Sequence, residues 1–419
     1  MFSITPMASS TLGRWASRTL GGRQPWPLRN FANPRFERIS ASQRIEEESL
    51  PDYVAARYYP IRIGDLFASR YQVVGKLGFG ATSTIWLARD LMGCRHVVLK
   101  IFIRAASLGS ELSHELSAYQ RLDRGPTSHL GRRAVRTLLD SFTISGPDGA
   151  HPCLVHPPLW DSVKTFLARN PAGRLPMPVL AIVLQQLFHA LDYAHKCQVI
   201  HTDIKAGNIM FGSEDATVFE KFEQAELEHP TPRKEIDGRI IYLSRDLEMP
   251  SDLGLPVLCD FGSAAWGEER HEEDVQPDVY RSPEVILKVP WSYEIDIWNV
   301  GCVIWDIFEG RHLFYGTDPE HGAYRSRAHL AEIIALLGPP PPGLVARGLL
   351  RSKFFSEQGE FQAGIKVPPP ISLEQLETNL EGSDKKLFLQ FMSKMLQWDP
   401  QHRQTAKQLL EDEWLKKHT

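Results

Sequence analysis

Residues 199–210 form the segment that most constrains this chain: an apolar pair, the pattern His-x-Asp-x-Lys-x-x-Asn, and a second apolar pair. The two pairs predict that both ends are anchored in a core and that the polar residues between them lie on a loop. We call residues 201–208 the polar loop. Asp203 and Asn208 are also residue types that cap turns, and alone they indicate nothing further.

A second aspartate, Asp260, follows the apolar run 257–259, which predicts a buried strand that delivers its carboxylate to the same cleft. Carboxylate and amide oxygens are ligands that Mg²⁺ prefers, so we expect Asn208 and Asp260 to bind magnesium. Asp203 is then expected to orient an attacking hydroxyl and accept its proton, while Lys205 neutralises a transferring phosphoryl group. Each motif is modest alone, but the ordered set is specific.

A third motif lies between two strand-like segments, and we call its residues 77–85 the glycine-rich turn. Glycines at positions 78 and 80 let backbone N–H groups approach phosphates without a Cβ in the way. The same pattern occurs in many hairpins that bind nothing. The residues expected to contact ATP are Leu77, Gly78, Phe79, Gly80, Ala81, Thr82, Ser83, Thr84 and Ile85.

Lys100 ends the apolar segment 96–100, where a lysine either extends toward solvent or contacts nucleotide phosphates. In the second case a glutamate from the following helix must hold it. Glu111 and Glu115 lie one helical turn apart there, and either could reach the lysine. We expect Glu115, because the apolar residues that follow it provide a packing face.

The order of predicted elements indicates an α+β fold with a small β-rich lobe and a larger helical lobe. Helices are expected at 179–195 and near 294–310, 328–337 and 384–396. The expected domains are an N-terminal extension at 1–58, a β-rich lobe at 59–157 and a helical lobe at 158–419. A polar stretch at 212–256 is expected to be a surface insertion, partly ordered at most.

Composition narrows the class of protein. The net charge is −4 and the basic residues are dispersed, so direct nucleic-acid binding is not expected. Five widely separated cysteines argue against a disulfide framework and a zinc site, and no apolar run approaches the roughly 20 residues of a membrane span. We therefore expect no membrane segment and a location in the cytoplasm, the nucleus or both.

Residues 1–36 contain no acidic residue, and their arginines are spaced among Ser, Thr and apolar residues. This composition is typical of a mitochondrial presequence. A disordered basic tail explains it equally well, and the sequence leaves the two alternatives open.

From about residue 59 to residue 415, the combined motifs resemble the eukaryotic protein kinases, and among them the SR-protein kinases of the CMGC group, especially fungal members. Serine at position 83 in place of a third glycine and Thr202 in the polar loop support the narrower resemblance. The family implies a two-lobed kinase fold, ATP and Mg²⁺ as cofactors, and a monomer that phosphorylates serine or threonine in proteins. It also implies that Glu284 pairs with Arg403 and that Asp296 supports the polar loop.

Most regulated kinases place at position 202 an arginine that grips a phosphate, so Thr202 predicts activity without loop phosphorylation. Three other features depart from the family. The insertion, at roughly 45 residues, is shorter than the long spacer of animal relatives. Pro157 and Pro158 lack the N–H groups that could contact adenine. Arg325 and Arg327 stand where an acidic groove for Arg-Ser repeats is expected, which opposes binding of an arginine-rich SR-type splicing factor. The alternatives are a kinase with non-SR substrates, or a pseudokinase that serves as a nucleotide-binding scaffold.

Overall fold

The computed structural model describes residues 24–108 and 111–419. The small lobe is built on a six-stranded antiparallel sheet with the strand order β1-β2-β3-β4-β6-β5. Its strands are β1 (Leu66–Phe67), β2 (Tyr71–Phe79), β3 (Ser83–Asp90), β4 (Arg95–Phe102), β5 (Asp140–Gly146) and β6 (Gly149–His156). The glycine-rich turn is thus the end of β2, the connection and the start of β3.

Helices α1 (Ala105–Leu108) and α2 (Glu111–Arg124) follow β4. In α2 the buried residues recur at helical spacing: Glu115, Ala118, Tyr119 and Leu122 are each less than 5% exposed. This face turns toward the sheet, and one acidic residue lies within it. A buried carboxylate on an otherwise apolar face requires a cationic partner.

The large lobe is mainly helical and contains most of the core. Its helices are α3 (Val163–Arg169), α4 (Met177–Lys196), α5 (Thr217–Glu228), α6 (Pro283–Leu287), α7 (Glu294–Glu309), α8 (Ser326–Leu337), α9 (Pro342–Arg347), α10 (Arg351–Phe354), α11 (Leu373–Leu376), α12 (Gly382–Ser393), α13 (Ala406–Leu410) and α14 (Glu413–His418). Three short antiparallel pairs join β7 (Val199–Ile200) to β12 (Ala265–Trp266), β8 (Ile209–Ser213) to β11 (Leu253–Leu258), and β9 (Arg233–Ile236) to β10 (Arg239–Tyr242).

Helix α4 is the central core helix of this lobe. Its inward residues, such as Leu184, Phe188 and Leu191, are fully buried. Among the described residues α4 is the one helix long and apolar enough to cross a membrane, and 56% of its most apolar window is buried inside the fold. Burial of this kind is what the core helix of a globular lobe shows.

The expectation that residues 212–256 are at most partly ordered is wrong. They form α5 and the β9–β10 hairpin, and both pack on the small lobe. Phe222 of α5 lies so close to Gly75 of β2 that a Cβ at position 75 would be 2.7 Å from its ring. Glu223 is hydrogen-bonded to His96 at 2.8 Å and lies 3.3 Å from Arg89. Charged residues whose polarity suggested disorder instead form buried ion pairs.

Part of the N-terminal extension, from residue 24 onward, also contacts the small lobe. The Trp26 N–H donates to Leu91 O at 2.9 Å. The backbone of Arg38 forms an isolated parallel β-bridge with that of Arg233 of β9, and the Arg233 guanidinium lies 4.2 Å from the Phe36 ring centroid. Residues 24–58 are therefore not a disordered tail. Residues 1–23 lie outside the described residues, so the presequence alternative stays a prediction.

Candidate active site

The glycine-rich turn forms one wall of a cavity of about 690 Å³ between the two lobes. Phe79, Gly80 and Ala81 border this cavity, and Leu77 and Gly78 border a neighbouring cavity of about 360 Å³. The predicted residues that border the larger cavity are Phe79, Gly80, Ala81, Thr82, Ser83, Ile85, Lys100, Glu115, Lys205, Asn208 and Asp260.

Thr84 is the exception within the glycine-rich turn. It borders neither cavity, and its hydroxyl accepts a hydrogen bond from Trp86 Nε1 at 2.9 Å. Successive side chains on a strand point to opposite faces. Ser83 and Ile85 therefore face the cleft, whereas the Thr84 side chain turns into the sheet.

Lys100 of β4 is the centre of a charged cluster. Its Nζ donates to both carboxylate oxygens of Glu115 at 2.8 Å and to Asp260 Oδ1 at 3.0 Å. Burial would lower the pKa of Lys100, but the carboxylates of Asp260 and Glu115 outweigh it and raise the pKa. Burial would likewise raise the pKa of Asp260, yet the Lys100 ammonium lowers it to about 2. The Lys100 ammonium and the Asp260 carboxylate are therefore both charged near neutral pH.

The side chains of the polar loop contact one another. Lys205 Nζ donates to Asp203 Oδ2 at 2.6 Å, and Asn208 Nδ2 donates to Asp203 Oδ2 at 3.0 Å and to its backbone oxygen at 2.9 Å. Asp203 and Lys205 also border a surface cavity of about 420 Å³, and Lys205 borders the cavity of about 690 Å³ as well. A group bound in the smaller of these two cavities would therefore lie next to a group bound in the larger.

Asp296 of α7 positions the backbone of the polar loop. Its fully buried carboxylate accepts hydrogen bonds from the N–H groups of His201 and Thr202, at 2.8 and 2.9 Å. His195 Nε2 lies 2.9 Å from the same carboxylate. Asn299, one turn further along α7, accepts from the N–H of Ile204 at 3.1 Å and donates to its carbonyl at 2.7 Å. Asp296 and Asn299 therefore hold the loop through its backbone.

The polar loop is also tied to the strand that carries Asp260. The Asp203 N–H donates to His201 Nδ1 at 3.2 Å, so His201 carries its proton on Nε2, which donates to Cys259 O at 3.1 Å. Thr202 and Asp260 both have φ of 65°, an uncommon conformation for residues other than glycine. Backbone strain of this kind collects at functional sites.

The expected pair of Glu284 and Arg403 is present and fully buried. Arg403 Nη1 and Nη2 donate to the two Glu284 oxygens at 2.5 and 2.8 Å. This bidentate pair joins α6 to the segment after α12. It therefore fixes the end of the segment 260–284, which borders the active site.

Sequence reasoning missed three residues at the cleft. Arg136 and His156 border the larger cavity, and their buried Nε and Nε2 atoms have no hydrogen-bond partner among the described residues. Tyr58, from the N-terminal extension, donates to the carbonyls of Gly80 and Ala81. None of the three belongs to a motif, so no sequence signal identified them.

Comparison with known proteins places this geometry in a family. The family model for the protein kinase domain matches residues 71–415. A serine/threonine protein kinase of Aspergillus fumigatus is 42% identical over 93% of this chain and 96% of its own length. A serine/threonine-protein kinase SRPK of Physarum polycephalum is 30% identical over 88% and 91%, and SRSF protein kinase 3 of Mus musculus is 24% identical over 90% and 92%.

A crystal structure of a kinase domain superposes with a TM-score of 0.66 and 20% identity, over 86% of this chain and 99% of that one. This likeness concerns the fold. The family model covers most of the chain, and the matched region contains every predicted site residue. The chain therefore belongs to the protein kinase family, and its homologues include the SRPK-type serine/threonine kinases.

Proposed function

We propose that this ATP-dependent serine/threonine kinase uses Asp203 as its catalytic carboxylate and acts on proteins in which serine is flanked by arginine. The substrate hydroxyl oxygen bonds to the γ-phosphorus of ATP, the bond from that phosphorus to the β,γ-bridging oxygen breaks, and ADP leaves. The hydroxyl proton passes to Asp203. The observation that carries the proposal is the convergence of two charged clusters, at Lys100 and at Asp203, on adjoining cavities.

Two lysines would neutralise the phosphate charge of ATP, and each already contacts a carboxylate of the site. Lys100 is oriented by Glu115 and would contact the α- and β-phosphates, while Lys205 would neutralise the transferring group. Phosphoryl transfer needs positioning and electrostatic stabilisation more than covalent chemistry. These ammonium groups and the glycine-rich turn supply both.

Protein kinases generally use Mg²⁺, and the residues present fit that ion. The Asn208 amide N–H₂ donates to Asp203, and Asn208 Oδ1 accepts no hydrogen bond from the described residues. Asp260 Oδ1 accepts a hydrogen bond from Lys100, which leaves Oδ2 to bind a metal ion. Asn208 and Asp260 are neighbours, since the Cys259 N–H donates to Asn208 O at 2.8 Å. Two hard oxygen donors close together suit Mg²⁺, which would neutralise phosphate charge.

Arginine-flanked substrates are supported by the names of two relatives and by local charge. Residues 268–278 carry six carboxylates and one arginine, and Asp274 borders the cavity at Asp203. Arg327, which seemed to oppose such substrates, is bound by Asp318 Oδ2 at 2.5 Å and by Glu320 Oε2 at 2.5 Å. Its charge is therefore neutralised locally. Asp274 is likewise paired, with Lys288 at 2.7 Å, so the charge that would favour an arginine is the excess of acidic residues in the segment 268–278 as a whole.

The segment 260–284 is held without a phosphate. The Thr202 hydroxyl donates to Ser263 O at 2.7 Å. Arg121 pairs with Glu268 at 2.7 Å, and β12 pairs with β7. We therefore expect the unphosphorylated protein to be active. Dephosphorylated enzyme that gained most of its activity only after treatment with an upstream kinase would contradict this.

The test is phosphate transfer from Mg·ATP to a serine peptide flanked by arginines, with a matched peptide in which the arginines are alanine. We expect the arginine peptide to have the higher kcat/KM. Asp203→Ala and Lys100→Met should fold and lose roughly 10²–10⁴ in rate. Equal use of both peptides would remove the substrate proposal alone. Unchanged activity in either variant would remove the assignment of the catalytic residues.

A further inference from the structure

The glycine-rich turn is held from outside by the N-terminal extension. The Tyr58 hydroxyl donates a shared hydrogen bond to Gly80 O at 3.1 Å and Ala81 O at 2.9 Å. These carbonyls are at the tip of the turn, where the chain passes from β2 to β3. Burial, and then the nearby Glu47 carboxylate, raise the pKa of Tyr58 to about 12, so its hydroxyl stays a donor.

Tyr58 is itself clamped. Tyr58 is 6% exposed, and the Tyr53 ring lies 5.3 Å from the Tyr58 ring, centroid to centroid. From the insertion, Arg239 Nη1 donates to the Tyr58 carbonyl at 2.6 Å, and the other end of this guanidinium pairs with Asp148 at 2.9 Å. The insertion therefore reaches the tip of the glycine-rich turn through a single intermediate residue.

The root of the turn is held by the same two segments. Lys76 of β2 is 1% exposed, and its ammonium pairs with Glu47 and, at 3.3 Å, with Glu46 of the N-terminal extension. The same ammonium donates to Tyr242 O of the insertion at 3.2 Å. The Arg245 N–H donates to Lys76 O at 2.9 Å. We call residues 45–58 and 239–245 the outer brace.

We propose that the outer brace is part of the nucleotide-binding apparatus and that Tyr58 is a positioning residue that holds the tip of the glycine-rich turn against the ATP phosphates. The inference rests on the proposed role of this turn in binding ATP. A turn with two glycines is costly to order because glycine has more conformational freedom than other residues. A tip already held in place does not incur that cost again when the nucleotide binds.

Tyr58→Phe removes the hydroxyl and keeps the ring. The Kd for Mg·ATP should rise about three- to tenfold, the effect of one net hydrogen bond. The Kd for adenosine should change less than twofold, because the tip faces phosphates and not the base. The thermal unfolding temperature should fall by no more than about 3 °C, as expected for one lost hydrogen bond in a chain of this size.

The matched control is Tyr59→Phe, the same change one residue along, on a ring that packs against Phe67 and His151 and away from the turn. It should leave both dissociation constants unchanged. An equal loss of ATP and adenosine affinity in Tyr58→Phe, or no loss of either, would overturn the inference. Failure of the unchanged protein to bind Mg·ATP would instead overturn the proposed function.

Arg239→Gln tests the second step of the brace. It should weaken ATP binding in the same direction and by less. Combined with Tyr58→Phe, it should add little further loss, since both changes act through one contact to the turn. A fully additive double variant would show that the insertion does not act through Tyr58, and would contradict this part of the inference. Because Arg239→Gln leaves Tyr58 in place, it also tests the brace if Tyr58→Phe folds poorly.

Discussion

The polar loop and the glycine-rich turn face each other across the active-site cleft, and they are positioned by different means. The polar loop is held from within its own lobe by Asp296 and Asn299, both fully buried on one helix. The glycine-rich turn is held by Tyr58 and Glu47 from before the small lobe and by Tyr242 from an insertion in the large one. The polar loop is thus held by its own lobe, whereas the glycine-rich turn depends on accessory segments.

The physical difference lies in the bonds. A buried carboxylate that accepts backbone N–H groups forms charge-assisted hydrogen bonds, which are roughly twice as strong as neutral ones. The tyrosine hydroxyl at the tip of the turn forms a neutral bond shared between two carbonyls. We therefore expect changes under the polar loop to be severe and changes in the outer brace to be graded.

The largest expected effect concerns the buried pair that fixes the segment next to the polar loop. Arg403→Met leaves the Glu284 carboxylate buried and unpaired, which should lower the free energy of unfolding by about 3–5 kcal/mol. Urea denaturation measures this. Replacing both partners by Met should recover much of the loss, since a buried pair gains little over apolar residues. A single variant that lost less than about 1 kcal/mol would show that the segment is fixed by other contacts.

Next in size is the support of the polar loop itself. Asp296→Ala removes the acceptor of two backbone N–H groups and should displace Asp203. A displacement of about 1 Å can cost roughly 10² in rate, so kcat should fall by about that factor. The KM for ATP should change little, because the glycine-rich turn is untouched. A change confined to that KM would contradict the division between the two sides of the cleft.

A smaller effect is expected at the root of the glycine-rich turn. Glu47→Gln weakens the pairing of buried Lys76, which keeps Glu46 and Tyr242 O. We expect a loss of about 1–2 kcal/mol in unfolding free energy, with a higher KM for ATP and little change in kcat. Glu48→Gln is the matched control, because Glu48 pairs with Lys234 of the insertion, at 2.7 Å, and not with β2. Equal effects of the two variants on that KM would contradict a specific role for Glu47.

The smallest expected effect is the pH dependence of stability from two buried histidines, one in each lobe. Burial, then the Arg136 guanidinium, lower the pKa of His156 well below its usual range, and burial lowers that of His329 to about 3. The unfolded chain takes up these protons as pH falls through about 6.5, and the folded chain does not. Stability should therefore be complete above that pH and decline below it, by ~1 kcal/mol per histidine between pH 7.5 and 6.

Thermal denaturation at the two pH values measures this loss. His156→Phe should remove the part of this pH-dependent loss of stability that comes from His156 and leave the part that comes from His329. An unchanged pH dependence in this variant would mean that the folded protein binds a proton at His156.

Several elements follow from local pattern and were expected. Helices α4, α7 and α8 begin and end within a few residues of their expected bounds, because their apolar periodicity is strong. Glu115 pairs with Lys100, as expected. The insertion was misjudged because its charged residues were assumed to face water, whereas Glu223 and Glu226 pair with arginines on β3 and β9 and at position 245. The partner of Glu223 lies on β3, far away in the sequence, and such a pairing leaves no local pattern.

The sequence by itself determined the candidate residues of the site: Lys100, Asp203, Asn208 and Asp260 stand in motifs whose spacing already predicts a loop or strand end. Only the tertiary structure decided what holds those motifs in place. Tyr58, Arg136, His156 and the insertion reach the cleft through contacts between segments far apart in the chain. Local spacing determines local geometry, whereas the position of one surface against another depends on packing and burial across the whole fold.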